Sequence, residues 1–196
     1  MAVTYTNRKG HTYYLCQRLL KTGKVRYYFA RDLKEDFPDR IPDGYRISEG
    51  VNGVVSLVKE RPQLILPQEV ASVEGVLARH PKSRDYRVAF KNNQIIIYER
   101  LGPDVETLSA IFGNLSLLSS EIVKKRLQEQ LDKTAHFSPV LRFTLVNPQE
   151  RKYKTERWSY MGDIDDWIEI GESGRIENLA RWLIPKLGTD DFFELF

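Results

Sequence analysis

Cysteine is almost missing from this chain: Cys16 stands alone among 196 residues. A single thiol can form no internal disulfide and no cysteine-based zinc site, which excludes stapled and zinc-finger folds and fits a reducing compartment. Histidine is nearly as scarce. His11, His80 and His136 lie far apart, with none of the i, i+4 spacing that a metal-binding helix uses. The G-x-S-x-G elbow, the G-x-x-x-x-G-K-[ST] phosphate loop and the G-x-G-x-x-G turn are all missing. Hydrolase, nucleotidase and dinucleotide readings lose their usual support, and no cofactor is implied. No run approaches the roughly 18 to 20 apolar residues of a membrane span, and the first nine residues lack the apolar stretch of a secretory signal. The expectation is a cytoplasmic protein without a membrane segment.

Hydrophobic residues make up 41% of the chain and charged residues 29%, enough apolar material for a core and for one domain or two small ones. Net charge is only +3, but it is unevenly distributed. Residues 1–31 hold seven cations, Arg8, Lys9, Arg18, Lys21, Lys24, Arg26 and Arg31, and no acid, so the rest of the chain carries −4. Tyr5, Tyr13, Tyr14, Tyr27 and Tyr28, half of the ten tyrosines, fall in the same segment. Interleaved cations and flat rings are what a phosphate-tracking, base-stacking surface needs.

Alternation predicts a β-hairpin over 12–18 and 24–30 around Lys21-Thr22-Gly23. Its second strand puts Val25, Tyr27 and Phe29 on a greasy face and Lys24, Arg26 and Tyr28 on a cationic one. A second pair, 45–48 and 54–58, turns through Gly50-Val51-Asn52-Gly53, so the first 60 residues read as one sheet of three or four strands. Pro62 and Pro67 mark a boundary, followed by a helix to about Arg79 with Val70, Val73 and Leu77 inward. Residues 86–90 and 94–99 form a hairpin in which Asn92-Asn93 suits a type I′ turn, pairing Phe90 with Ile95 and Val88 with Ile97. Two helical patterns follow, one from Pro103 and one from Ser119 or Ser120 carrying Ile122, Val123, Leu127 and Leu131. Strands are predicted over 140–146 and 152–160. A last helix carries Ile176, Leu179, Ala180, Leu183, Ile184 and Leu187, with Ser173 as N-cap and Gly188 as stop. The fold class is α+β: an N-terminal antiparallel β-meander over 1–60, then antiparallel hairpins packed against helices over 61–196.

The leading candidate surface is the N-terminal one. Arg18, Lys21, Lys24 and Arg26 on the hairpin, with Arg8, Lys9 and Arg31 nearby, would meet phosphates, and Tyr14 and Tyr28 would stack, so the expected partner is nucleic acid or an acidic protein. Arg151, Lys152, Lys154 and Arg157 add cations on a later hairpin. The competing reading is that both are solvated sheet faces with tyrosines lying over lysine stems. Against the leading reading of a non-enzymatic binding or adaptor protein stands an enzyme of unknown reaction with a divalent-metal site at Asp163, Asp165, Asp166 and Glu169; the alternative places these acids in a loop before a helix N-terminus, favoured by the dipole. The nearest nuclease-like pattern, Glu150-Arg151-Lys152, falls in a predicted turn. Cys16 shares its face with Tyr14 and Arg18 and reads as an inert thiol. Phe192, Phe193, Leu195 and Phe196 must be covered, by the protein's own core, by a partner or by a second copy of the chain.

Tyr5-Thr6-Asn7-Arg8-Lys9-Gly10-x-Thr12-Tyr13-Tyr14-Leu15, Ile41-Pro42-x-Gly44-Tyr45, Ile164-Asp165-Asp166-Trp167 and Ile184-Pro185-x-Leu187-Gly188-x-x-x-Phe192-Phe193-Glu194-Leu195 resemble a group of uncharacterised bacterial proteins. That group has no assigned activity. The resemblance therefore implies a bacterial cytosolic protein and assigns no catalytic or binding residue.

Overall fold

Period-two patterning in the first 60 residues becomes five antiparallel strands. A computed structural model describes residues 1–32, 34, 36–103, 107–108, 121–161 and 164–195, with backbone only at 161 and 164. In it β1 (Thr4–Thr6), β2 (Thr12–Leu19) and β3 (Val25–Ala30) form a three-stranded sheet, and β4 (Tyr45–Glu49) pairs with β5 (Val55–Lys59) separately. The expected single sheet is thus two. Residues 31–44, with Pro38 and Pro42, are too long and too poor in ladder donors to act as a tight turn. Part of that segment completes β2 instead: beyond the end of β1, the Gln17 N–H donates to the Asp36 carbonyl at 3.0 Å.

The chain divides into two compact units, one made of Met1–Glu60 with Gly102–His136 and the other of Arg61–Leu101 with Phe137–Phe196. Within the first, Leu15, Cys16, Val55 and Ala135 are buried. Asn7 is buried too, and both ends of its amide are engaged. Nδ2 donates to the Gly53 carbonyl at 2.7 Å, while Oδ1 accepts from the backbone N–H of Lys9 and of His11 at 3.1 and 2.9 Å. This Asx turn ties the β1–β2 loop to the β4–β5 turn. The helix α2 (Glu121–Thr134) is less buried than its apolar stripe suggests, with Ile122 and Val123 exposed and Leu127 and Leu131 half-buried. The helix expected from Pro103 falls largely outside the described residues.

The second unit holds the main core. Strands β6 (Tyr86–Lys91), β7 (Gln94–Leu101), β8 (His136–Asn147), β9 (Lys152–Met161) and β10 (Ile164–Glu169) lie in the order β10-β9-β8-β7-β6, and β11 (Gly174–Arg175) also pairs with β9. Ile95, Ile97, Leu141, Phe143, Leu145 and Tyr153 join one buried cluster with α1 (Pro67–Leu77) and α3 (Ile176–Leu183). Proline opens α1, where its missing N–H is no loss, and Glu69 Oε2 accepts the Leu66 N–H at 2.8 Å. The β6–β7 register is the one anticipated, Phe90 opposite Ile95 and Val88 opposite Ile97. Its turn differs: Asn92 takes positive φ, 52°, without the second left-handed residue of type I′.

Three boundaries also differ from expectation. β8 starts four residues early, at His136, and includes Pro139 ahead of Leu141, where the paired register with β9 begins. α3 is capped by Arg175, not Ser173, because Gly174 and Arg175 are held in a strand. It ends at Leu183, since Pro185 diverts the chain into a 3-10 turn, Ile184–Lys186, that continues the buried stripe. A short helix α4 (Asp190–Phe193) then buries Phe192 completely, with Leu195 packed against the same cluster, while Phe193 stays half exposed. Phe196 lies outside the described residues.

Candidate functional site

Backbone bonds close the β2–β3 hairpin: the Leu20 N–H donates to the Lys24 carbonyl and the Gly23 N–H to the Leu20 carbonyl, each at 2.9 Å. Gly23 supplies the positive φ, 78°, that this turn requires. The register then sets Cys16 opposite Tyr28, Gln17 opposite Tyr27, Arg18 opposite Arg26 and Leu19 opposite Val25. Side chains alternate, so Arg18 and Arg26 share a face as direct neighbours, with Lys24 at the same parity. Arg18, Lys21, Lys24, Arg26 and Arg31 are all exposed. Among the described residues none of them forms an ion pair.

Arg8 and Lys9 are employed elsewhere. Arg8 Nε meets Glu49 Oε1 at 2.6 Å, its backbone N–H donates to the same carboxylate at 3.1 Å, and its Nη2 donates to the Gly50 carbonyl at 3.1 Å. Tyr5 Oη adds a bond to Glu49 Oε2 at 3.0 Å. Partial burial pushes the Glu49 carboxyl up, but the Arg8 and Tyr5 hydrogen bonds outweigh it and hold the group below the usual carboxylate range. The Tyr5 hydroxyl is in turn pushed up by that bond. Lys9 Nζ donates to the Ala135 carbonyl at 3.1 Å, and its stem lies against Gly53. Both side chains hold the first unit together.

The two faces of the hairpin are less distinct than alternation alone implies. On the cationic side Cys16 is wholly buried between half-buried Tyr14 and Tyr28, and its thiol reaches the Tyr14 carbonyl at 3.5 Å. On the apolar side Leu15 is buried and Tyr27 meets Tyr45 at 6.2 Å between ring centroids, yet Leu19 is 72% exposed and Val25 47%. The tip therefore presents four bare cations and one uncovered aliphatic pair.

The second basic hairpin is internally neutralised. Arg142 grips Glu156 with two bonds of 2.7 Å, Lys154 reaches Glu156 at 3.1 Å and Glu169 at 3.6 Å, and Arg151 pairs with Glu69. Arg142 also lies 4.1 Å above the Trp167 ring. Burial raises the Glu156 carboxyl, but Arg142, Lys154 and Thr144 together keep it below the ordinary range. Lys152 pairs with Glu150, and Arg157 is buried, so no cationic stripe is left there.

The described part of the acidic stretch runs along a strand and not through a loop ahead of a helix. Asp165, Asp166 and Glu169 lie on β10, opposite Tyr160, Ser159 and Glu156 of β9, and alternation points the two aspartates to opposite faces. The helix whose dipole they would complement starts only at Ile176. Asp163 lies outside the described residues, and among the described residues no three His, Cys, Asp or Glu side chains come together as a metal site. Two adjacent acids hid the strand period, and solvated carboxylates on an outer strand satisfy the rule against exposed edges. Glu49, which neutralises Arg8, carried no signal, since it lies 41 residues away in the chain. Comparisons with protein-family models, curated proteins and solved structures found no match.

Proposed function

We propose that this is a binding protein that contacts nucleic acid through the tip of the β2–β3 hairpin. Arg18, Lys21, Lys24 and Arg26 meet successive phosphates, with Arg31 flanking them and the half-buried Tyr28 at the inner edge of the contact. One observation carries the reading. Arg18 faces Arg26 across the ladder, and like charges placed so oppose folding by about 0.2–1 kcal/mol. A surface kept only for solubility gains nothing from that pair, whereas a polyanion turns the same repulsion into attraction and releases counterions on binding.

The test is a titration of labelled single-stranded and duplex oligonucleotides across a salt series. Four phosphate contacts imply a log–log salt slope of about −3 to −4, and the R18A/R26A variant is expected to flatten it by about two. No binding at low salt, or an unchanged slope in the variant, overturns the reading. So does binding to anionic lipid vesicles without binding to nucleic acid, which the aliphatic pair Leu19 and Val25 would then explain.

A further inference from the structure

The second unit contains a cleft whose chemistry is independent of the hairpin. It opens where α1 and α3 end, and its volume is about 540 Å³, within the range of small-molecule sites. Val76 and Ile184 give it an apolar floor. Pro81 and Pro185, each just beyond a helix end, add to the apolar lining. Arg79, His80 and Arg181 complete the lining, and no carboxylate contributes to it among the described residues.

The state of each polar group favours a negative partner. Arg79 is exposed, and its guanidinium has no ion pair or hydrogen bond among the described residues. Arg181 is oriented by neutral groups of its own helix, with Nε on the Glu177 carbonyl at 3.1 Å and Nη2 near Asn178 Oδ1 at 3.5 Å, so its charge is fixed in direction but not cancelled. His80 accepts the Lys82 N–H at Nδ1, 3.1 Å, and its ring stands edge-on to Tyr86 at 5.1 Å. With Nδ1 accepting, Nε2 is the protonated nitrogen and a donor. The dipole of a helix C-terminus accounts for one basic residue at each end. It does not account for two arginines and an imidazole lining one apolar hollow.

We infer that this cleft binds a small organic anion with an apolar body, its carboxylate held by Arg79 and Arg181 and its hydrocarbon or ring on Val76 and Ile184. The apolar floor distinguishes such a ligand from inorganic phosphate, and the planar guanidinium groups suit a carboxylate.

The inference is tested on the full chain by calorimetry with 1-naphthoate and its neutral counterpart 1-naphthalenemethanol, following the His80 ring resonances by NMR. Naphthoate is expected to bind saturably and to shift those resonances, with the alcohol at least about tenfold weaker, the equivalent of one charge-assisted contact. In R79A/R181A, whose altered side chains are exposed, naphthoate should fall to the level of the alcohol. Equal binding of the two probes, an unmoved His80 at saturation, no saturable binding, or a variant that keeps the preference for the anion would each overturn it. The oligonucleotide titration is unaffected by any of these outcomes, so the two readings fail separately.

Discussion

Arg26 lies directly across the β2–β3 ladder from Arg18, and neither forms an ion pair among the described residues. Reversing one of these charges converts repulsion into a cross-strand ion pair. R26E should raise stability by about 0.2–1 kcal/mol in urea denaturation while abolishing oligonucleotide binding. A variant that loses both stability and binding would mean that the arginine is held for the fold.

Glu69 is the centre of the polar structure under α1. It is 3% exposed, accepts the Leu66 N–H and Arg151 Nε at 2.8 Å each, and pairs with Arg151 Nη2, which also donates to the Leu64 carbonyl at 3.1 Å. Burial raises its carboxyl, but the bonds from Arg151 and Leu66 prevail and the group stays below the ordinary glutamate value. A carboxyl lowered in the folded state stabilises the protein above its unfolded pKa, about 4.3, and that stabilisation is lost as pH falls through the folded value. Glu49 and Glu156 are shifted the same way, so stability should decline as pH drops below about 4 to 5. E69Q should cost about 1–3 kcal/mol at neutral pH and make that acid limb shallower, read by denaturation at several pH values.

Gly171 offers a cleaner test of packing. Its φ is +64°, and a Cβ placed there would come within 2.5 Å of the Trp182 ring. Gly10 has a similar φ, +80°, but open space around it. Gly10→Ala should therefore cost only the backbone strain, roughly 1–2 kcal/mol, and Gly171→Ala distinctly more, with a change in tryptophan emission as the ring moves. Equal losses would show that the ring gives way freely.

The terminal aromatics separate by burial. Phe192→Ala should cost about 3–5 kcal/mol and Phe193→Ala less than about 1, because only the first is enclosed by the core. If Phe193→Ala instead changes the mass of the protein in solution, the exposed ring belongs to an interface between copies.

Much of the fold was legible where one period ran without interruption. The stripe from Ile176 to Leu187, the alternation of 86–99 and the glycine turns each encode their structure locally, and every residue of that stripe is buried. Reading failed where two local rules conflicted. Asp165 and Asp166 are neighbours on a strand in which both faces accept a charge, so no period was visible. At the candidate site, the parity that puts Lys24, Arg26 and Tyr28 on one face followed from alternation, but the distinction between employed and idle cations did not. Arg8 is neutralised by Glu49, and Lys9 reaches a carbonyl 126 residues away, and neither relation leaves a local trace.

That last bond has a consequence for biosynthesis. The first unit draws on Gly102–His136, and the second closes only with the final helices, so both units are interrupted in the chain. When the N-terminal ribbon leaves the ribosome, the carbonyl that will receive the Lys9 ammonium has yet to be translated. Such distant pairing slows folding, and a nascent chain cut after Glu60 would display its basic hairpin before the helix of its own unit existed.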